Sequence, residues 1–317
     1  MTATEQTAAE QPRTAIVFPG MGPSGFAEVG RFLMLDPFAR KRLAEADEAL
    51  GYSVFDRLRE AEGDYSEATQ IAFLVNSMAS ADRAVAELGI VPEICVGPSF
   101  GQKAATAFVG SLPFPELVRL TAEMARCEIT YFAEEYQDAV THTFFRTPPD
   151  RLAEILAEFD ERGEWYDYSG YLDEGFCMVS LRERELAGLK HRVSGIGGYS
   201  MYTMAPAVHA PAFKELRRRV EEEVLPGYRL ADPELPLLAD QDGRTVRTAD
   251  ELRTMLLDTF DLPIHWPKVV DALKAAGVER VCITGPDNLF HRLECTKSGF
   301  DVVTVGPGKR ARAPRGR

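Results

Sequence analysis

A serine between two glycines, in Gly97-Pro98-Ser99-Phe100-Gly101, has the spacing of a nucleophile elbow. The apolar run 94–96 precedes it and the small-residue segment 104–109 follows it, which predicts a strand, a sharp turn and a helix. Such a turn lifts the serine hydroxyl clear of the backbone, and the glycines let neighbouring elements approach. The N–H of Phe100, at the start of the helix, would point at a developing oxyanion. A turn whose serine only caps the helix has the same spacing, and the context favours the nucleophile.

A serine nucleophile needs a base, and the chain has five histidines: His142, His191, His209, His265 and His291. His209 stands out because 206–211 is a small-residue loop bounded by prolines, and such a loop between two domains can face a cleft. His142 and His191 fall in a predicted strand and helix and are expected to face solvent. His291 is expected on a surface or between domains.

Composition narrows the class of protein. The chain has 317 residues, 45% of them hydrophobic, which is typical of a globular protein with a full core. A net charge of −13 argues against a nucleic-acid binder, and no apolar run is long enough to span a membrane. The start of the chain lacks a signal-peptide pattern and the five cysteines lack C-x-x-C spacing, so reduced thiols and a cytoplasmic location are expected. No metal cluster or nucleotide loop is visible, and no bound cofactor is expected.

The order of predicted elements divides the chain. Residues 1–13 are expected to be a disordered leader, and 14–129 the first part of a large α/β domain. Over residues 130–200 the pattern of predicted strands and helices changes to the order β-α-β-β-α-β, which predicts an inserted ferredoxin-like domain. The large domain resumes over 201–307, and 308–317 is a basic tail expected to be disordered.

An ordered set of motifs resembles the malonyl-CoA:acyl-carrier-protein transacylases, the family that includes the acyltransferase domains of polyketide synthases. The likeness covers about residues 14–307. It implies an α/β-hydrolase-like large domain carrying a ferredoxin-like insert, and the chain is expected to be a monomer. The motifs are Phe18-Pro19-Gly20-Met21-Gly22, Thr69-Gln70, Gly97-Pro98-Ser99-Phe100-Gly101-Gln102, His209, Pro263-Ile264-His265-Trp266 and Gly285-Pro286.

The resemblance implies a ping-pong acyl transfer. Ser99 would attack a thioester while His209 takes its proton, and the acyl group would then pass to the thiol of a second phosphopantetheine arm. The backbone N–H groups of Met21 and Phe100 would hold the oxyanion. The backbone carbonyl of His265, where the family usually has glutamine, would orient the histidine. The other interpretation of His265 is a histidine packed between the two domains beside Trp266. The phosphopantetheine arm comes with acyl carrier proteins, which would be both donor and acceptor.

Departures from the family bear on the acyl pocket, for which we predict Pro98, Met124, Ala207, Val208 and Gln70. Pro98 replaces the usual histidine, and Met124 stands where malonyl-selecting members carry an arginine. Without a cation, a buried carboxylate would be unpaired, which costs several kcal/mol. Arg126 lies two residues further along the helix, on another face.

The chain is therefore expected to exclude malonate. In this respect it resembles the stand-alone VinK-type acyltransferases of macrolactam polyketide pathways, which belong to antibiotic biosynthesis. These move an aminoacyl or dipeptidyl starter unit between acyl carrier proteins.

Acyl carrier proteins are acidic, so a local basic patch is expected to receive them. Each basic candidate has a simpler interpretation as a solvated surface charge, and Met204 has one as a core residue. The docking candidates are Arg146, Arg151, Lys190, Arg192, Met204, Arg292 and Lys297.

Four other functions fit parts of the pattern. A thioester hydrolase that clears stalled acyl chains would share the fold and the nucleophile, and a malonyl-type transacylase would share the motifs. A non-catalytic carrier-binding protein would explain the altered Pro98 and Met124 but not the retained Ser99 and His209. A generic esterase leaves the motifs around Phe18 and Gln70 without a role.

Overall fold

The computed structural model describes residues 12–307 apart from 23, 64 and 288. The predicted tail and nearly all of the predicted leader lie outside the described residues. In chain order the strands are β1 (Thr14–Val17), β2 (Ile94–Val96), β3 (Ala139–Phe145), β4 (Tyr166–Asp173), β5 (Phe176–Arg182), β6 (Tyr199–Met204), β7 (Leu237–Leu238), β8 (Thr245–Val246), β9 (Ile264–His265), β10 (Arg280–Thr284) and β11 (Asp301–Val305).

The α-helices connect and cover these strands. In chain order they are α1 (Phe26–Leu35), α2 (Pro37–Leu50), α3 (Val54–Glu60), α4 (Glu67–Leu88), α5 (Gly101–Phe108), α6 (Phe114–Glu135), α7 (Pro149–Arg162), α8 (Glu183–Gly195), α9 (Lys214–Arg219), α10 (Ala249–Asp261), α11 (Trp266–Ala275) and α12 (Glu294–Gly299). None of these described helices is both long and apolar enough to cross a lipid bilayer.

The large domain is built on a six-stranded sheet with the order β11-β10-β1-β2-β7-β8. Its pairings are parallel except for β8, which runs antiparallel to β7. All four residues of β1 are buried, as expected for a central strand covered by helices on both faces. Because parallel strands end at one edge of a sheet, the ends of β1, β2 and β7 meet there. That edge carries the serine turn.

The small domain is a five-stranded sheet with the order β6-β3-β5-β4-β9. Its elements from β3 to β6 follow the order β-α-β-β-α-β that the sequence predicts. They span 139–204, whereas the predicted boundaries were 130 and 200. Helix α6 continues to Glu135 and packs Tyr131 and Phe132 into the core of the large domain, so the insert begins after that helix.

The two sheets are joined by a segment that the sequence assigned to the large domain alone. Strand β9 pairs in parallel with β4, with Gly170 opposite Ile264. One face of the small sheet packs on α7 and α8. On its other face Leu172, Met178 and Met204 join an apolar cluster with Ile264 and Trp266 of the large domain. Apolar side chains from both domains therefore pack together at the base of the cleft between them.

Candidate active site

Ser99 lies at a strained turn between β2 and α5. Its φ of 54° falls in the left-handed region, which non-glycine residues rarely adopt. The turn is tight because a Cβ on Gly97 would lie 2.3 Å from the carbonyl of Gly101, and one on Gly101 would lie 1.9 Å from the carbonyl oxygen of Phe18. Both glycines are therefore required sterically. The predicted elbow geometry is present, with the serine only partly buried.

Asp240, a buried carboxylate that sequence reasoning missed, holds this turn in place. Asp240, 1% exposed, accepts the backbone N–H of Ser99 at 2.6 Å through Oδ2 and the Nε2–H of Gln102 at 2.6 Å through Oδ1. Burial raises the pKa of Asp240 to about 6, against the lowering effect of these donors. The residue follows β7, the neighbour of β2, so its position at the carboxyl end of a predicted strand was the available signal.

Replacing Asp240 with asparagine should lower the rate of Ser99 acylation about 10- to 100-fold. Two donors face the two oxygens of Asp240, and an amide offers only one acceptor, so a buried donor loses its partner at a cost of about 1–3 kcal/mol. Stopped acylation assays read by intact mass measure the rate. An acylation rate within twofold of wild type would mean that the carboxylate does not position the turn.

The pH dependence of stability gives a second measurement on the same variant. The folded-state pKa of Asp240 lies above its ordinary value of 3.8, so its favourable contribution is complete below about pH 4 and is lost as the pH rises through 6. The free energy of unfolding of wild type, relative to Asp240→Asn, should therefore fall across that window.

His209 lies beside the serine, as predicted. Its Nε2 is 2.7 Å from Oγ of Ser99, and the residue is 4% exposed. Its Nδ1 lies 2.6 Å from the backbone carbonyl oxygen of Thr259, in the last turn of α10. Because the carbonyl oxygen of Thr259 can only accept a hydrogen bond, Nδ1 carries the proton and Nε2 is free to accept one from Ser99. The pair is arranged for nucleophilic attack with general-base assistance.

The prediction that the carbonyl of His265 orients the base is wrong, because Thr259 does so. The last carbonyls of a helix have no partner within it, and those of Thr259 and Phe260 accept from His209 and Ala210. His265 lies instead in β9, where its N–H donates to the carbonyl of Asp240 at 2.7 Å. Its ring packs on Tyr171 of the small domain, with centroids 5.2 Å apart.

Buried hydroxyl groups of the small sheet hold the loop that carries the base. The N–H of Val208 donates to Oγ1 of Thr141 at 2.9 Å. Oγ of Ser180 donates to the carbonyl of Val208 at 3.2 Å and lies 2.6 Å from Oγ1 of Thr141. His209 itself has a φ of 56°, so these bonds hold a strained residue. The base is therefore fixed from both domains.

Protonation of His209 should not lower the acylation rate as the pH falls from 8 to 5. Burial lowers the pKa of His209 to about 4, so the ring remains neutral and able to take a proton throughout that range. An unshifted histidine would lose half of its activity near pH 6.5. Rates of Ser99 acylation measured across the range test this. The same titration of Asp240→Asn separates any inflection caused by Asp240, and a midpoint near 6.5 that persists in that variant would contradict the prediction.

The two predicted oxyanion donors border the same cavity as Ser99. Within the part of the chain that the structure describes, neither the N–H of Met21 nor that of Phe100 donates to another residue. The segment that carries Met21 approaches the serine closely, since a Cβ on Gly20 would lie 3.3 Å from Cβ of Ser99. Two unused donors at the nucleophile fit the proposed role.

An apolar cavity on one side of Ser99 matches most of the predicted acyl pocket. Gln70, Met124, Ala207 and Val208 line it, whereas Pro98 is not among its described lining residues, so the predicted pocket role of Pro98 is wrong. Pro98 is buried within the turn, and its carbonyl accepts the N–H of Gly101. Further lining residues are Tyr65, Phe132, Pro206, Phe213, Leu216, Leu256 and Phe260.

The expectation that this pocket holds no cation is also wrong. Lys103, one turn after Ser99 on α5, lines the cavity and is 6% exposed. Its Nζ lies 3.8 Å from Oε1 of Glu128, which comes from α6 and lines the same cavity. Arg126, in contrast, lies outside the pocket and pairs with Glu67 at 3.0 Å. The cation therefore comes from α5 and not from α6, the helix that carries Met124.

A second cavity opens on the other side of Ser99, towards the small domain. Four methionines, Met21, Met178, Met201 and Met204, line it together with Leu172, Ile264 and Phe290. Met204 is 6% exposed and belongs to the apolar cluster between the sheets, which fits its interpretation as a core residue better than a docking contact. Its sulfur lies 3.0 Å from the hydroxyl of Tyr65. Ser99 and Met21 border both cavities.

Of the remaining docking candidates, Lys190 and Arg192 are half-buried, and the others are exposed at the surface. The guanidinium of Arg146 lies 5.0 Å from the centroid of the Phe145 ring. Arg151 pairs with Glu154 and Lys297 with Glu294, each within one helical turn. Nε of Arg292 lies 3.3 Å from Nε2 of His291. Their docking role stays a prediction.

The other histidines lie away from the nucleophile. His142 is buried, contrary to the expectation that it faces solvent, and its Nδ1 lies 2.7 Å from Oγ1 of Thr203. His191 is exposed, and His291 pairs with Asp287 at 2.7 Å. Among the described residues, no group of three or more His, Cys, Asp or Glu side chains is arranged to hold a metal ion.

Comparison with known proteins supports an acyl-transfer site. Residues 143–204 match the family model of the VinK acyltransferase small domain. The chain is 26% identical over 298 residues to the malonyl CoA-acyl carrier protein transacylase of Bacillus subtilis, covering 87% of this chain and 69% of that protein. It is 24% identical over 298 residues to the transacylase of Escherichia coli K12, covering 92% and 94% of the two chains.

Solved structures share the fold. A malonyl-transacylase in complex with a type II polyketide synthase acyl carrier protein superposes with a TM-score of 0.82 at 18% identity, covering 93% of this chain and 96% of that one. The acyltransferase domain from the second module of the salinomycin polyketide synthase gives a TM-score of 0.76 at 22% identity, covering 96% and 71%. The predicted similarity to the transacylases is confirmed by the curated relatives, and the chain is an enzyme of the acyltransferase class.

Proposed function

We propose that the chain moves an acyl group other than malonyl, of the aminoacyl or dipeptidyl kind, between two acyl carrier proteins of a macrolactam polyketide pathway. The observation that carries this proposal is the hydrogen-bonded pair of Ser99 and His209 at the junction of two cavities. One cavity would hold the acyl chain and the other the thioester arm. The match of the small domain to the VinK model supports the choice of pathway.

In the first half-reaction Oγ of Ser99 attacks the thioester carbonyl while Nε2 of His209 takes its proton. The carbonyl oxygen gains negative charge, which the N–H groups of Met21 and Phe100 stabilise. The C–S bond then breaks, and the proton on Nε2 passes to the leaving thiolate. Imidazolium forms against the carbonyl end of α10, where the partial negative charge of the helix favours it.

The second half-reaction reverses these steps with a different thiol. The phosphopantetheine thiol of the acceptor loses its proton to Nε2 and attacks the ester, and a C–S bond forms. The bond from the acyl carbon to Oγ then breaks, and Nε2 returns the proton to Oγ. The methionine-lined cavity suits the arm, because thioether side chains adapt to flexible apolar chains. Since the carriers supply the arm, no resident cofactor is needed.

Docking of the carriers is proposed at the exposed basic residues on the two domains. Arg146 and Arg151 lie on the small domain, and Arg292 and Lys297 on the large one. The chain as a whole carries a net charge of −13, so an acidic partner requires a local basic surface. Monomeric state and cytoplasmic location stay predictions from the sequence.

A malonyl-type transacylase is the second candidate. Lys103 favours it, because a lysine in the acyl pocket could pair with a malonyl carboxylate, and the curated relatives are malonyl transacylases. Glu128 opposes it, since two carboxylates would share one cation in a pocket with little water.

Replacing Met124 with arginine should raise malonyl loading only a few-fold. Glu128 stands four residues after Met124 on α6, so the new guanidinium would pair with it. Adding Glu128→Gln should raise malonyl loading about tenfold further, because the arginine is then free. Malonyl adducts measured by intact mass after mixing with malonyl-CoA test both variants. A large gain from the single variant would contradict the neutralising role of Glu128.

Intact-mass spectrometry of carriers tests the proposal itself. The protein is mixed with an acyl carrier protein loaded with an aminoacyl, alkanoyl or malonyl group and with an unloaded acceptor carrier. Movement of an aminoacyl group to the acceptor supports the proposal. Preferential movement of malonyl supports the second candidate, loss of the acyl group to water indicates a thioester hydrolase, and no change without an adduct on Ser99 indicates a binding protein.

A further inference from the structure

A cluster of three polar side chains, Lys103, Gln70 and Glu128, lies within the otherwise apolar wall of the acyl pocket. Nζ of Lys103 donates to Oε1 of Gln70 at 3.3 Å, and Nε2 of Gln70 donates to Oε2 of Glu128 at 3.2 Å. Among the described lining residues, Lys103 and Glu128 are the ones with a carboxylate or an alkyl cation. Acyl transfer by Ser99 and His209 does not use them. Buried polar groups are costly unless they are satisfied, so an apolar acyl chain alone leaves this arrangement without a purpose.

The two charges of this group are not equivalent. Lys103 is buried, and burial lowers its pKa although Glu128 opposes this effect. Its ammonium group also lies 4.7 Å from the centroid of the Phe100 ring, so the cation already has an aromatic partner. Lys103 thus keeps an aromatic partner for its charge when another cation binds Glu128.

Glu128 retains capacity to accept hydrogen bonds. Its side chain is 19% exposed, and Lys103 at 3.8 Å lies beyond hydrogen-bond distance from Oε1. Within the described part of the chain, no donor bonds to Oε1, while Oε2 accepts from Gln70. A carboxylate offers about four acceptor positions, so an ammonium group on a ligand would find an open and charged acceptor.

We infer that Glu128 selects acyl groups that bear a protonated amino group, with Gln70 and Lys103 holding its carboxylate in place. An incoming ammonium group takes the open positions on Glu128, whereas a carboxylate meets a like charge at the same point. This inference rests on the proposed acyl transfer. Glu128 is a specificity residue, since it contacts the acyl chain and not the reacting carbonyl.

Two matched thioesters test the inference without any carrier. 3-Aminobutanoyl-pantetheine and 3-methylbutanoyl-pantetheine differ only in an ammonium group against a methyl group of similar size. Rates of Ser99 acylation are measured by intact mass for each, and the ratio of the two is the readout. Wild type should prefer the amino compound at least about tenfold, the value of one charge-assisted hydrogen bond. Glu128→Gln should bring the ratio to within about twofold of unity.

Further variants keep the test decisive. Glu123→Gln makes the same charge change on the same helix but outside this cavity, and should keep the wild-type ratio. Lys103→Met should keep or raise the preference for the amino compound. If Glu128→Gln does not fold, Glu128→Asp should still lower the ratio several-fold by withdrawing the carboxylate.

The outcomes distinguish the inference from the function on which it depends. Acylation by both thioesters with no preference in wild type, or a preference that survives Glu128→Gln, overturns the inference and leaves the transfer function standing. Loss of the preference in Lys103→Met with retention in Glu128→Gln also overturns it. No adduct on Ser99 from either thioester, from malonyl-CoA or from any loaded carrier overturns the proposed function itself.

Discussion

Replacing Ser99 with alanine should leave a folded protein that takes up no acyl group from any thioester. The acyl-enzyme requires a bond to Oγ, and no other hydroxyl lies 2.7 Å from Nε2 of His209 among the described residues. The turn itself should survive, because Asp240 holds the backbone N–H of residue 99 and not its side chain. We expect a loss of more than about 10⁴-fold, measured as adduct formation by intact mass.

Two controls make this result specific. Ser200→Ala changes an exposed serine on β6 and should leave adduct formation unchanged. Ser99→Cys places a thiol at the same position and should still form an adduct. Wild-type adduct formation by Ser99→Ala would show that another residue is the nucleophile.

Replacing His209 with alanine should lower the acylation rate about 10³-fold, within the usual range for a general base. The remaining reaction would depend on hydroxide, so the rate should rise about tenfold per pH unit, unlike the flat profile expected of wild type. Added imidazole should restore part of the rate, because deletion leaves space beside Oγ of Ser99 and beside the carbonyl of Thr259. Adduct formation across pH 6–9 measures both effects.

His191→Ala serves as the matched control, since His191 is exposed on α8. It should keep the rate and the pH profile of wild type. A reduction of less than tenfold in His209→Ala, with the flat profile retained, would assign the base to another group.

The nucleophile and the base could be predicted because their signals are local. Two glycines around Ser99 are required by contacts of 1.9 Å and 2.3 Å that any Cβ would make, so the motif itself encodes the turn. The prolines around His209 indicated a loop at the domain boundary. The order of strands and helices in the small domain could likewise be predicted from the hydrophobic pattern. The predicted start at residue 130 falls within α6, which continues to Glu135.

Other features depend on contacts between distant segments. The carbonyl that binds His209 comes from the last turn of α10, and its identity depends on where that helix ends against the loop. His265 does not take that role, because β9 pairs with β4 and places His265 in the small sheet. The buried position of Met204 also follows from packing between the two sheets. None of these follows from periodicity within one segment.

The charges in the acyl pocket were within reach of the sequence. Glu128 stands four residues after Met124 on α6, so helical spacing places it on the face of a residue already assigned to the pocket. Lys103 stands in the first turn of the helix that follows the nucleophile. Asp240 could be found by the same reasoning, because it follows the strand next to the nucleophile strand.

The loop that carries His209 is tied to Thr141 and Ser180 on one lobe and to Thr259 on the other, while Ser99 belongs to the larger lobe alone. The distance between Oγ of Ser99 and Nε2 of His209 therefore depends on how the two domains are placed relative to each other. A relative shift of about 1 Å would be enough to cost about 100-fold in rate. A partner that binds both domains at once would therefore change the reactivity of Ser99 without contacting it.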